Sequence, residues 1–482
     1  MNFLIRTPLA FGLMFLAVCS MTSLPTAAST LAENPPTPIF LPAFTPTTDT
    51  WQDPFADINT SHDNSPNTAP DPSTLDEAAL LADVALFTEI LNLAIDMGNL
   101  PAIIALTPLY EQASGHDVLL LNFAKAVLAH AENRPKTAIA HYQAMLENDP
   151  SLTPVKMRLA FSYLTDHRYH QAKTLIGELL ADDTVPQDIK DALNAALTAT
   201  LSTTPKTELH LSYLNDRNVN NAPDHAEHGH WQLPAKKTAQ GVGYGLSFRH
   251  PQPLTDHLSI SPVLNLNGKY YPNAKDYNDL ITELGTSFSY EDGRQHLSAT
   301  PYGQRRYFGE TGYSHTHGLR LAGTLKTRPW QLSALLDVSK KYYDDRPFLE
   351  GSHRYGSISM GRTYAGAIRH GEFGVQVGEE ALRDASDSRK LWRIYAGFGV
   401  GTGSVGSSHR IGVGRARHQG ADIFGILRHD TLYFSEHKFW HENWHYHGYS
   451  PALNLRFERQ DSSHFAHDKT AKDIFLSVDK RF

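Results

Sequence analysis

His441-Glu-Asn-Trp-His445 spells H-E-x-x-H, the pattern with which zinc hydrolases grip a metal between two imidazoles beside a general-base carboxylate. That chemistry needs an α-helix, because only there do positions i and i+4 share a face. Gly401-Thr-Gly403-Ser-Val-Gly406 spells G-x-G-x-x-G, whose glycines let a pyrophosphate approach a helix amino terminus. Both motifs fall between segments that alternate apolar and polar residues at a period of two. Each is therefore predicted to occupy a turn between strands, with no helix to supply the geometry. Twenty-six histidines make a chance H-E-x-x-H unsurprising. His445 and His447 share a strand face and are read as solvated rim residues. The sequence has no P-loop, no G-x-S-x-G elbow and no recognisable acid pair. No catalytic residue, metal ligand or cofactor is expected.

The elements around these motifs say more. The chain has 482 residues and a formal net charge of −8, which argues against a nucleic-acid-binding surface. Residues 1–28 read as a secretory signal: Arg6 gives the charged start, Leu9 to Met21 the apolar core, and Thr26-Ala27-Ala28 a small-residue cleavage site. Cys19 is the only cysteine. Leu16-Ala-Val-Cys19 loosely resembles a lipoprotein box, but Val18 stands where such boxes take a small residue. Removal of the signal would leave no thiol for disulfides, catalysis or metal. Residues 29–74 are rich in Pro, Thr and Asn and are predicted to be a disordered leader, because they hold too little apolar surface to offset ordering entropy.

Residues 75–204 carry helical periodicity in seven segments, from Asp76–Met97 to Gln187–Leu201. Their breaks carry Gly98, Gly115, Asn133 and Asp149-Pro150. Ala138, Tyr142 and Pro150 have the spacing of a tetratricopeptide second helix, and Ala172 follows Ala138 by 34 residues. Tyr163 stands in the matching first-helix place. Small Ala138 and Ala172 would let helices approach while Tyr142 and Tyr163 fill the space between them. Such arrays present a concave surface for protein and carry no chemistry of their own.

Residues 205–482 change texture and give fourteen alternating segments, the eighth placed at Tyr355–Arg369 and the last at Ala471–Phe482. Connections after even-numbered segments are short, as at Thr327-Arg-Pro329 and His370-Gly371. Those after odd-numbered ones run longer, as at Asn215–Gln240. An even strand count with short turns on one rim is the layout of a transmembrane β-barrel whose ends lie in the periplasm. In the last segment Ile474, Leu476, Val478 and Phe482 face one way, with Asp473, Ser477 and Asp479 opposite. Tyr270, Tyr313, Trp330, Tyr342, Trp440 and Tyr446 are expected in the interfacial girdles. The predicted fold is thus α + β and multidomain: TPR-like helical repeats, then a 14-stranded transmembrane antiparallel β-barrel.

Three stretches resemble the surface lipoprotein assembly modulators (Slam), the outer-membrane proteins of type XI secretion. Asn215-Asp-Arg-Asn-Val-Asn-Asn-Ala222 is similar to the family's D-x-N-V-N-x-A segment after the first strand. Leu427-Arg-His-Asp430, Trp440 and Trp444-His-Tyr-His-Gly448-Tyr-Ser-Pro451 resemble its late hairpin. Ser462-Ser463 and Lys480-Arg481-Phe482 resemble its terminal strand pair, although His464 stands where the family usually has Asn. The resemblance implies a translocator in the bacterial outer membrane that delivers surface lipoproteins, or related soluble cargo, from periplasm to cell surface. Its implied partners are a surface lipoprotein or secreted protein client, periplasmic chaperones, the barrel assembly machinery and outer-membrane lipid. Nucleic acid is not among them, and a monomer is expected. Asn215, Asp216, Asn218 and Asn220 would line the pore mouth or brace a capping turn. Phe482 would be the signal for barrel assembly. The competing readings are a diffusion porin with an accessory periplasmic domain and a surface adhesin or receptor.

Overall fold

The computed structural model describes residues 77–200, 205–225, 227–327, 329–364, 366–402, 404–444 and 446–481. The predicted signal and leader, His445 and Phe482 lie outside the described residues. Among the described residues eight helices come first: α1 (Glu77–Ala82), α2 (Val84–Asp96), α3 (Leu100–Gln112), α4 (Val118–Ala131), α5 (Pro135–Asn148), α6 (Thr153–Thr165), α7 (Tyr169–Ala181) and α8 (Gln187–Thr200). The single helix expected over Asp76–Met97 is two, because Asp83 caps a new start: its carboxylate accepts the Leu86 N–H at 3.0 Å. Asn99 and Asp117 cap α3 and α4 in the same way. Gly98, Asn133 and His167 take positive φ where one helix hands over to the next.

The helices share a core in two patches, one built on Phe87, Leu91 and Tyr110, the other on Tyr142, Leu159 and Ile176, with Phe123 packed against both. Ala138 and Ala172 are fully buried in the second patch, beside Tyr142 and Tyr163. The Tyr163 hydroxyl accepts a hydrogen bond from Gln143 Nε2 at 3.0 Å, so the buried ring keeps its polar end satisfied.

The barrel strands are β1 (Lys206–Asp216), β2 (Ala239–Arg249), β3 (Leu258–Tyr270), β4 (Asp279–Glu291), β5 (Gln295–Phe308), β6 (Thr311–Thr327), β7 (Trp330–Tyr343), β8 (Gly351–Thr363), β9 (Ile368–Leu382), β10 (Arg389–Thr402), β11 (Val405–Ala421), β12 (Leu427–His441), β13 (Tyr449–Ser462) and β14 (Lys469–Arg481). Every strand pairs antiparallel with its sequence neighbours, and β1 pairs with β14, which closes the cylinder. A short piece at Gln252–Pro253 and an outer hairpin, Glu227–His228 with Trp231–Gln232, are accessory.

The outward faces carry exposed apolar side chains such as Leu319, Ile358, Phe373, Ile394, Ile411 and Leu476, as a lipid-facing belt requires. Three positions differ from expectation. β8 ends at Thr363, before the expected turn at His370-Gly371, so His370 belongs to β9. Tyr313 is not in the girdle: a register shift against β5 leaves it as an extra residue, and its ring packs on the Arg306 guanidinium at 4.9 Å. Trp440 likewise lies inward, on the side of Lys438 and its partner Asp479, seated over Gly406. Tyr270 and Trp330 stand exposed on the outer surface.

Candidate functional site

The inner wall of the barrel is charged and nearly self-neutralising. Arg320 on β6 reaches both Glu283 on β4, at 3.1 and 3.2 Å, and Asp337 on β7, at 3.0 Å. Asn265 and the Tyr302 hydroxyl donate to the same two carboxylates. Further round, Arg389 holds Glu380 through two 2.9 Å contacts, and Arg410 holds Glu372 at 2.8 Å. Guanidinium–carboxylate pairs of this kind tie adjacent strands, as Arg389 does β10 to β9, or reach across one strand, as Arg320 does from β6 to β4 and Arg410 from β11 to β9, and leave a wall that favours water over hydrocarbon. The alternation of the strands places these groups inward, so parity of charged residues within each strand was the signal that could have found them.

At the rim bearing most of the short turns, the helical domain is seated on the barrel. Lys136 at the start of α5 donates to Asp292 Oδ2 at 2.7 Å and to the Tyr290 hydroxyl at 3.3 Å. Asn133 Nδ2 donates to the carbonyls of Gly293 and Lys326 at 3.3 and 3.5 Å. The His170 N–H donates to Asp256 at 3.1 Å. Two interhelical corners thus straddle the β4–β5 turn. Gly293 is required there: a Cβ would lie 2.6 Å from both Pro135 Cγ and the Thr165 carbonyl oxygen. Burial alone would raise the Asp292 carboxyl, but Lys136 and the N–H groups of Arg294 and Gln295 hold it down to about 2. Burial lowers His167, against the opposing pull of Glu291 4.0 Å away. Asp292-Gly293 reads from sequence only as a tight turn; nothing local announces what docks on it.

At the opposite rim Asn215–Ala222, Leu427–Asp430 and Ser462-Ser463 come together in one sector, while Trp440, Gly448–Pro451 and Lys480-Arg481 lie at the other end of the same strands. Asn218 and the Ala222 backbone bond each other reciprocally, at 2.7 and 2.8 Å. Asn220 does the same across the loop with the Ala235 carbonyl and the Lys237 N–H. Asp216 accepts from the Asn218 N–H and from the Tyr271 hydroxyl, while Asn215 continues the β1–β2 ladder opposite Gln240. These side chains hold the loop 217–238 in shape. Asp430 accepts from Arg428 and from Ser462 Oγ, and Ser463 bonds the His429 backbone in both directions. His228 stacks on Phe465, and Trp231 packs edge-on against Phe424, so three outer loops meet over β12, β13, β14 and β1.

The two catalytic patterns sit where no such chemistry has its scaffold. His441 ends β12 and Glu442–Trp444 form one 3-10 turn. Gly401 and Gly406 face each other across the β10–β11 hairpin.

A sequence profile described as "Surface lipoprotein assembly modifier" matches residues 206–482, the entire barrel. The chain belongs to the surface lipoprotein assembly modifier family. A second profile, the N-terminal TPR repeats of surface lipoprotein assembly modifiers, matches residues 73–176. "Surface lipoprotein assembly modifier 2" of Haemophilus influenzae strain Rd is 27% identical over 402 residues, covering 81% of this chain and 83% of that one. "Surface lipoprotein assembly modifier" of Moraxella catarrhalis is 24% identical over 425 residues, 86% and 84% of the two chains. Among solved structures, the outer membrane channel DcaP of Acinetobacter baumannii overlays with a TM-score of 0.36 at 8% identity, covering 58% of this chain and 96% of that one. This assembly modifier is an outer-membrane protein with its TPR domain outside the barrel, and the family is one of transport and assembly factors.

Proposed function

We propose that the chain moves lipoproteins from the periplasm to the cell surface, its helical domain receiving the client and its barrel providing the exit. The observation that carries this reading is the seat of the TPR domain on the inner rim, held by Lys136–Asp292 and by Asn133 at two turn carbonyls. A porin needs no helical array at its entrance. The array also leaves Leu86, Leu93, Ile104 and Val118 exposed, apolar surface suited to an incompletely folded client. The chain acts without catalysis, as a conduit, and the folding of the client outside draws it outward. Periplasmic chaperones would deliver the client, the barrel assembly machinery would insert the barrel, and the protein would work as a monomer. Domain limits at 28, 74 and 204 are part of the same proposal.

The test compares surface-accessible lipoproteins, by biotinylation of intact cells, among cells with the full chain, without it, and with residues 77–200 deleted. At least one lipoprotein should remain in the cell yet vanish from the surface in both mutants. Unchanged surface labelling with altered uptake of small solutes would establish the porin reading instead.

A further inference from the structure

The barrel is closed unevenly. β1 pairs with β2 over all eleven of its residues, from Lys206 opposite Arg249 to Asp216 opposite Ala239. Its ladder with β14 runs only from Glu208–Arg481 to Ser212–Ser477, the half nearest the helical domain. Beyond that point Tyr213–Asp216 follow β2, and Lys469–Leu476 follow β13. Above the split, loop 217–238 ties the strands again. Asp224 accepts the Thr470 N–H at 3.0 Å and the Thr470 hydroxyl at 2.7 Å, and Lys469 reaches Asn221 at 2.6 Å. The result is a window in the outer half of the wall, zipped below and strapped above.

Two features hold the window apart. Four more steps of the same register would set Asp216 opposite Asp473, both on the inward face, and like charges directly opposed across a ladder are destabilising. On the outward face the flanks are apolar and unusually bare: Ile474 is 69% exposed, Leu476 61% and Tyr213 51%. A strand edge facing hydrocarbon is costly, because no water can satisfy its N–H and C=O groups. An open edge at this depth therefore calls for a function.

We infer that the window between β1 and β14 is a lateral exit through which the acyl chains of a lipoprotein client leave the lumen for the outer half of the membrane while its polypeptide continues through the lumen. The inference rests on the translocation reading above. The lumen wall formed by Glu283, Arg320, Asp337, Glu380 and Arg389 offers an acyl chain nothing but water and charge. The window offers hydrocarbon on its outer side and carboxylates on its inner side. A client can straddle it, with lipid outside and chain inside.

The experiment ties the window shut. Cys19 is the only native cysteine, so a Leu214→Cys/Phe475→Cys pair, two register steps beyond the last ladder pair, meets no competing thiol in the strands. The client is a lipoprotein found to depend on the chain in the surface-labelling comparison, tested with its lipid-acceptor cysteine intact and changed to serine. Oxidation should cut display of the lipidated client at least tenfold, reversibly by reductant, and leave the unlipidated form unaffected. A Leu211→Cys/Val478→Cys tie within the existing ladder should change neither. Asp473→Lys, which puts a cation opposite Asp216, should act like the first tie and decides the matter if that disulfide does not form. Undiminished display of the lipidated client would overturn the inference. Equal loss of both client forms would do so too, showing that the free edge handles polypeptide, as by strand addition. If the unmutated chain displays no client, the translocation reading itself has failed.

Discussion

Gly293→Ala should unseat the helical domain without unfolding either half. The added Cβ would lie 2.6 Å from Pro135 Cγ and 2.6 Å from the Thr165 carbonyl oxygen. The second neighbour is main chain and cannot rotate away. Overpacking of this kind costs about 1–3 kcal/mol. The seat it opposes is modest. A pair like Lys136–Asp292, with its lysine half exposed, is worth at most about 1 kcal/mol, and the hydrogen bonds from Asn133 to neutral carbonyls and from the His170 N–H to the Asp256 carboxylate, an exposed contact, add about 1 kcal/mol each. The clash thus matches much of what holds the seat, and at about 1.4 kcal/mol per tenfold it should cut the docked population roughly five- to a hundredfold. Hydrogen exchange on the purified protein reads this directly: amides of 165–170 and 292–294 should lose protection while strand amides keep theirs. Gly177→Ala is the control, since a Cβ there meets nothing within 4 Å in mid-α7. Unchanged protection at both corners in Gly293→Ala would refute the claim that this turn is the seat.

Acidification should loosen the same seat. Because burial holds His167 below its ordinary value, its contribution is present above about pH 6.5 and is lost as pH falls from there toward the lowered value; the protection of 165–170 measured from pH 8 to pH 5 checks the sign. Arg320→Met should cost about 3–5 kcal/mol by leaving Glu283 and Asp337 without their cation, seen as a lower midpoint in denaturant with the helical domain unaffected. Asn218→Ala removes both bonds to Ala222 and should raise exchange throughout loop 217–238 without altering barrel stability. Truncating Phe482 should impair membrane insertion before it alters client choice, measured as the folded fraction in outer membranes; a stably inserted but export-dead truncation would give that residue a second role.

Most of the architecture was legible because both halves rest on periodicities that a sequence displays openly. The alternation of Leu258, Ile260 and Leu264 announces β3, and the spacing of Ala138, Tyr142 and Ala172 announces stacked helices. What stayed hidden depended on contacts between distant segments. Nothing near Gly293 states that Pro135 and Thr165 will close on it from far away in the chain. Tyr313 escapes the alternation because a bulge moves a residue between faces without changing the pattern of types around it. The eighth strand slipped because Gly351-Ser-His-Arg has no apolar alternation with which to mark its start. The asparagines were found as a motif, but their work as loop braces emerges only from their paired bonds to Ala222, Ala235 and Lys237.

The placement of polar groups bears on how the device moves a lipidated client without fuel. Each methylene taken from hydrocarbon into water costs about 0.8 kcal/mol, so even one long acyl chain carried through a charged lumen would face a barrier of roughly 10 kcal/mol. The sequence carries no P-loop with which to burn a nucleotide. A window in the outer half of the wall returns the anchor to hydrocarbon before the crossing is complete and so lowers that barrier, and the other load is an unfolded polypeptide passing a wet, charge-balanced wall. That step can be driven by folding on the far side, since a domain gains about 5–15 kcal/mol when it folds. The seat on the inner rim and the split in the outer half of the wall therefore divide the work: one holds the client near the entrance, and the other shortens the crossing of its anchor.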